Sequence, residues 1–283
     1  MLRSYLYAPG NRTDLLAKVA TRGADAVVLD LEDAVPQAEK VAARHAVAAW
    51  LSDRDADDAT QVYVRINGGA AALDDLAGLP LDRLDGVRLP KVEDAALVRA
   101  VDDVLARAEA NGARVVLHPL VESVQGLFRL DEIVAASSRI ERFIFGAGDY
   151  VLDVAGEATP DRQETLFARS YLVARSRFLG IGAPIAHVYT PIADLESLGR
   201  ACRVDRALGF FGRSCIHPSQ VATINAGFTF GPADVERAQG MVEAYRASVA
   251  AGRGAVVAPN GMFVDEAGYK RALRILTVAA NTR

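Results

Sequence analysis

The side chains able to do chemistry here are four carboxylates and three cations that stand where short apolar runs end. They are Glu32, Asp33, Glu122 and Asp149, with Arg12, Arg65 and Lys91. Several carboxylates in one pocket repel and raise each other's pKa. A hard divalent ion such as Mg²⁺ relieves that repulsion, taking one or two carboxylates and completing its shell with water and substrate oxygens. An arginine beside it suits an anionic substrate, because its planar fork grips a carboxylate. Metal plus arginine at a small acid points to carbanion or enolate chemistry, with the ion as Lewis acid. Other chemistries find no footing. His45, His118, His187 and His217 are scattered, with no pair at zinc spacing. There is no Gly-x-Ser-x-Gly elbow, GxGxxG or Walker loop, and neither Cys202 nor Cys215 lies in an activating motif.

The densest acids lie in AVVLDLEDAV, residues 26–35. Read with period two, Val27, Leu29 and Leu31 make an apolar face, and Val28, Asp30 and Glu32 make one that grows acidic. Taken alone, this stretch reads as the metal site. Asp30, deeper on the inner face, reads as a buried structural acid in need of a partner.

A repeating pattern must hold these residues: an apolar strand, a polar loop, an amphipathic helix. Strands are expected at residues 4–8, 26–32, 61–67, 86–92, 114–122, 142–148, 184–190 and 211–217. Helices are expected at 13–21, 39–51, 95–110, 163–179 and 195–208, with Asn111-Gly112 a fair cap for the third. Eight strands alternating with helices over about 230 residues predict a (β/α)₈ TIM barrel, the alternative being a doubly wound open sheet, which rarely needs eight strands. The strand ends are polar or backbone-shaping: Pro9-Gly10-Asn11-Arg12, Glu32-Asp33, Arg65 and Asn67, Pro90-Lys91, Glu122-Ser123, Gly148-Asp149-Tyr150, Tyr189-Thr190 and His217-Pro218. In a barrel they converge on one mouth. Residues 1–230 are therefore read as the barrel and 231–283 as a C-terminal extension. That extension reads as a helix at 232–251, a hairpin turning at Asn260-Gly261 in the type I′ manner, and a helix at 268–280. An apolar hairpin outside a finished barrel needs cover, which either a neighbouring subunit or the chain's own barrel would supply.

Each residue also has a plainer reading. A lone acid at a strand end is more often a helix cap, Arg65 could be a structural ion-pair partner, and Lys91 a rim lysine. His118, inside a strand, reads as a satisfied core histidine, and the two cysteines as packing.

Bulk properties narrow the class. The chain has 283 residues, is 51% hydrophobic and 24% charged, and carries a formal charge of −4 without long blocks. No basic patch recommends nucleic acid as a partner. No apolar run approaches the roughly 18 residues of a membrane span, and MLRSYLYAPGNR lacks a signal-peptide core. With two cysteines and no disulfide framework, a cytoplasmic location is expected.

The segments SYLYAPGNR, GADAVVLDLEDAV, VYVRIN, RLPKVE, LVES, FGAGDY and GRSCIHPSQ, in this order and spacing, resemble the citrate lyase β-subunit-like branch of the HpcH/HpaI aldolase family. The resemblance runs from about Arg3 to Arg274. It implies a Mg²⁺-binding (β/α)₈ barrel, a homotrimer or hexamer, acting on CoA or carrier thioesters of hydroxy-acids. It implies that Glu122 and Asp149 are the metal ligands and that Glu32 and Asp33 order metal-bound waters. It makes Arg65 the keto-acid anchor, with Asn67 and Lys91 beside it, and sets Tyr7, Arg12 and Lys18 on the CoA side, the last two at phosphates near a helix start. In related malyl- and citramalyl-CoA lyases a C-terminal Asp reaches a neighbour's site, which matches Asp265. Two departures stand out: Gly212-Arg213 where relatives commonly read Gly-Lys, and His187 where many carry an Asp.

The expected activity is a Mg²⁺-dependent carbon–carbon lyase on a hydroxyacyl-CoA such as malyl-, citramalyl- or citryl-CoA, with Asp265 and Arg65 catalytic. The alternatives are the β subunit of a citrate lyase complex working on a carrier-bound thioester, a CoA-independent pyruvate or oxaloacetate aldolase, and a non-catalytic acyl-CoA binding module.

Overall fold

The computed structural model describes residues 2–55, 59–109 and 114–280. Eight parallel strands close into a barrel in chain order: β1 (Ser4–Pro9), β2 (Ala26–Asp30), β3 (Gln61–Arg65), β4 (Gly86–Leu89), β5 (Val116–Val121), β6 (Ile144–Phe145), β7 (Ile185–Ala186) and β8 (Gly212–Cys215), with β8 paired to β1. Helices fill the connections, among them Lys40–Asp53, Ala95–Glu109, Leu166–Phe178 and Leu195–Leu208. The (β/α)₈ expectation holds.

Alternation sorts the side chains. Tyr5, Val28, Tyr63, Leu120, Ile144 and Ile185 form one buried cluster. Val27 and Leu29, from the other face of β2, are buried as well. Gly86 leaves room for the Tyr63 ring, since a Cβ there would meet Tyr63 Cε1 at 2.7 Å. Register brings Asp30 level with Arg65, and Arg65 level with Arg88, on adjacent strands.

Several expected boundaries shift. β2 stops at Asp30, so Glu32 and Asp33 lie in the loop beyond it. The sixth strand, expected over 142–148, is two residues long, because Ala147–Asp153 turns helical and carries Asp149 in its first turn. β7 is also two residues rather than seven. The cap expected at Asn111-Gly112 lies outside the described residues.

The chain divides into two compact units, Leu2–Ile224 and the part from Asn225 onward. In the second unit, helices Pro232–Ala250 and Glu266–Ala280 share a buried cluster of Ala238, Met241, Val242, Ala258, Val264 and Ala272 with the hairpin β9 (Val256–Val257) and β10 (Phe263–Val264). The hairpin exists, but its turn is not type I′. That type needs positive φ at both central residues, and of Asn260 and Gly261 only Gly261 has it, at 80°. The Gly261 N–H instead donates to the Ala258 carbonyl at 2.9 Å, and the Met262 N–H to Asn260 Oδ1 at 3.1 Å.

Candidate active site at the barrel mouth

A cavity of about 840 Å³ opens in the barrel unit, and strands β1, β2, β3, β5, β6 and β8, with the segment that follows β7, contribute to its lining. Asp30, Arg65, Glu122, Asp149, Tyr7 and His187 are among the lining residues.

Arg65 at the end of β3 is fastened by acids from the β2 end. Its Nε and Nη2 donate to Asp30 at 2.7 and 2.6 Å, a bidentate pair, and Nη1 reaches Glu32 at 2.8 Å and Asp33 at 3.2 Å. Asp30 thus finds the partner its burial demands. Both readings of Arg65 meet here: it is a structural ion-pair partner, and it faces the cavity.

Lys91, just beyond β4, has φ of 53°, in the left-handed region that a side chain disfavours. This backbone turn directs its N–H at Glu122 Oε1, 2.6 Å away, while its ammonium reaches Glu32 Oε1 at 2.6 Å. One strained residue therefore orients two acids. The hydrogen bond to Glu32 holds the Lys91 ammonium well above the usual lysine range.

Glu122 follows β5 and is 6% exposed. Burial, with Asp149 and Glu32 nearby, pushes its carboxyl up to about 8 against the opposing Lys91 N–H. Its other oxygen, Oε2, lies over Gly146, where a Cβ would come within 2.6 Å. No protein donor meets that oxygen among the described residues. Asp149 is exposed in the first turn of Ala147–Asp153. With every carboxyl ionised, as a bound cation would require, Asp30, Glu32, Asp33, Glu122 and Asp149 outnumber Arg65 and Lys91 by three charges. A divalent cation fits this donor set: hard oxygens, one of them free, in an excess of negative charge. No group of three or more His, Cys, Asp or Glu side chains gathers as a ligand cage among the described residues. Two carboxylates completed by waters suit Mg²⁺ without one.

Other sequence-expected residues fall elsewhere. Asn67 is buried, and its backbone N–H and side-chain amide both hold Asp75, at 2.8 and 2.7 Å. It is not among the cavity-lining residues. Arg12 is exposed and bidentate with Asp14 at 2.8 Å, at the N-cap of helix Thr13–Val19. Lys18 is exposed in the last turn of that helix, so only Arg12 stands at a helix start. Their spacing along the helix is about 9 Å. Asp265 caps helix Glu266–Ala280, its Oδ1 accepting the Gly268 N–H at 2.8 Å. His217 caps its own turn at Ser219, and Ser123 caps Val124–Phe128. His118 is buried, stacked 5.0 Å from Tyr63 and bonded to Glu141 at 3.0 Å.

Three features escaped sequence reasoning. Asp205, fully buried, receives Arg162, Arg169 and Arg213 together, tying the 162 loop, two helices and β8. Arg213 also donates to the His187 carbonyl at 2.8 Å. Burial and Arg213 push His187 down to about 3, so a neutral ring lines the cavity. Arg88, fully buried inside the barrel, stands in the strand GVRL, where strand periodicity gives a lone arginine no role.

The HpcH/HpaI aldolase/citrate lyase family model matches residues 3–218. A citrate lyase subunit beta-like protein of Deinococcus radiodurans is 36% identical, covering 98% of this chain and 97% of its own. An L-malyl-CoA/beta-methylmalyl-CoA lyase of Cereibacter sphaeroides is 33% identical over 95% of this chain and 92% of its own. The crystal structure of CitE from Mycobacterium tuberculosis, in complex with magnesium, acetoacetate and coenzyme A, superposes with a TM-score of 0.80 at 30% identity, covering 98% of each chain. With the closed barrel and the acid-rich mouth, these matches lead to one conclusion: the chain belongs to the HpcH/HpaI aldolase/citrate lyase family.

Proposed function

We propose that this protein is a Mg²⁺-dependent carbon–carbon lyase acting on a hydroxyacyl-CoA thioester of the malyl-, citramalyl- or citryl-CoA class. The observation that carries this reading is Glu122: a buried carboxylate with one oxygen turned to a cavity already rich in negative charge. Glu122 and Asp149 are the residues to hold the ion, and Glu32 and Asp33 to order its waters. Bound Mg²⁺ supplies a Lewis acid for the keto-acid oxygen.

The protein's own groups do the rest. Arg65, kept rigid by Asp30 and Glu32, anchors the keto-acid carboxylate, and Lys91 keeps Glu122 and Glu32 in position. A general base takes the proton of the substrate's β-hydroxyl, and the electron pair of the adjoining carbon–carbon bond leaves with the thioester half. The keto-acid forms on one side and the thioester leaves as its enolate, which Asp265 protonates at carbon. Asp265 would come from a neighbouring subunit of a homotrimer. Exposed Phe128 and Phe167, clustered with half-buried Tyr171 at centroid distances of 5.7–6.5 Å, support association by giving an apolar surface in want of cover. Tyr7, Arg12 and Lys18 are assigned to the CoA moiety.

The test is turnover of malyl-, citramalyl- and citryl-CoA with and without Mg²⁺, by wild type and Asp265→Ala. Keto-acid release that needs Mg²⁺ and Asp265 supports the reading. Activity on a carrier-bound thioester alone would move it to a citrate lyase complex. Keto-acid binding without cleavage of any thioester would reduce the protein to a binding module.

A further inference from the structure

Beneath the cavity lies a cation with no counter-ion. Arg88 on β4 is fully buried, and no carboxylate lies within ion-pair reach of it among the described residues. The rings of Tyr5, Tyr7 and Tyr63 surround its guanidinium at 4.5, 5.3 and 5.6 Å, and its Nε and Nη2 have no hydrogen-bond partner. Rings attract a cation but replace water poorly, so a buried charge of this kind remains expensive.

Its one satisfied nitrogen, Nη1, donates to Tyr7 Oη at 3.0 Å and to Ser214 Oγ at 3.1 Å. Both hydroxyls belong to residues that line the cavity, from neighbouring strands β1 and β8. A guanidinium can only donate. Each hydroxyl therefore spends a lone pair on Arg88 and keeps its own proton for something else. No protein acceptor meets either proton among the described residues. In the closed order of eight strands, β1 stands opposite β5, which Glu122 follows.

Resting on the lyase reading above, we propose that Tyr7 and Ser214 form an oxyanion site for the thioester carbonyl, with Arg88 as the positioning residue behind them. When the carbon–carbon bond breaks, its electron pair passes through the α-carbon to the thioester oxygen, and the proton of the β-hydroxyl leaves to a general base. Two O–H donors backed by a buried cation meet that oxygen as it becomes negative, and they release it when the α-carbon takes up a proton. Tyr7 is thereby a catalytic residue at the thioester, beyond a contact to CoA. Preorganised donors of this kind act on the transition state more than on the ground state.

The experiment compares wild type, Tyr7→Phe, Ser214→Ala and the double variant, each checked for an unchanged circular dichroism spectrum and melting temperature. Calorimetry measures binding of acetyl-CoA and of a CoA analogue whose thioester is replaced by a carboxylate of the same length. Each single variant is expected to weaken the carboxylate analogue roughly 10- to 100-fold while acetyl-CoA changes by less than about twofold. The kcat should fall by a similar factor with KM nearly constant. Equal affinity of wild type and the variants for the carboxylate analogue would overturn the oxyanion site and leave the lyase reading standing. Failure of wild type to bind either CoA ligand would overturn the lyase reading, and this proposal with it. Tyr7→Phe removes only an oxygen, so it decides the matter even if the double variant does not fold.

Discussion

Glu122 is the residue on which the proposed chemistry turns, and its protonation gives a direct handle. Buried near Asp149 and Glu32, its carboxyl holds a proton up to about pH 8. A cation must displace that proton, so Mg²⁺ affinity should rise about tenfold per pH unit below 8 and level off above it. Titration calorimetry in buffers of different ionisation enthalpy checks this by counting the proton released. The same elevation sets the sign of a stability effect. The folded state binds the proton more tightly than the unfolded state, so metal-free protein should lose stability as pH rises from about 5 to 8, and Glu122→Gln should remove that slope. Glu122→Gln should abolish Mg²⁺ binding, whereas Glu32→Gln should only weaken it. A neutral Glu32 still meets Lys91 and Arg65, whereas Glu122 is a proposed ligand itself. At this scale sequence gave types and not pairings. Asp30 and Arg65 lie 35 positions apart, and only the β2–β3 register sets them level. Asn67 shares a strand face with Arg65, yet the chain bends away after β3 and its amide is taken by Asp75.

At the scale of elements, the mouth is built by backbone as much as by side chains. Gly146 follows β6 beneath Glu122, and a Cβ there would clash with Glu122 Cβ. Gly146→Ala should therefore displace the carboxylate and cost Mg²⁺ affinity while circular dichroism stays unchanged. The Asp205 cluster has the opposite character, a buried charge centre in which one aspartate meets three arginines. Asp205→Asn would leave three arginines without their shared anion, and urea unfolding should report a loss of about 3–5 kcal/mol. The alternation of strands and helices was legible because apolar runs recur along the chain and polar or backbone-shaping residues follow them. The sixth strand misled, since FGAGDY reads as a continuing strand although its glycines permit an immediate helix. Arg88 was illegible for a related reason: strand periodicity marks which face a residue takes, and a charge facing the barrel interior contradicts the usual rule that interiors are apolar.

For the whole molecule, the issue is what the second unit does. Asp265 caps helix Glu266–Ala280, and asparagine caps as well as aspartate. Asp265→Asn should keep the melting temperature and lose turnover, whereas Asp265→Ala should lose turnover and about 1 kcal/mol of stability as well. If Asp265 serves a neighbouring site, mixed assemblies of Asp265→Asn and Glu122→Gln chains should regain activity that neither has alone. Failure of such mixtures to recover, with exchange of subunits demonstrated, would confine the site to one chain. No helix among the described residues is long and apolar enough to cross a membrane.

The central claim is carbon–carbon cleavage, and a mass balance of products tests it most directly. Each hydroxyacyl-CoA is incubated with Mg²⁺ and the protein, and mass spectrometry follows keto-acid, acyl-CoA and free CoA together. The account expects keto-acid and the shortened acyl-CoA in equal amounts from at least one substrate, abolished by chelation and by Glu122→Gln. Free CoA appearing with the intact hydroxy-acid, or keto-acid formation indifferent to chelation, would contradict it.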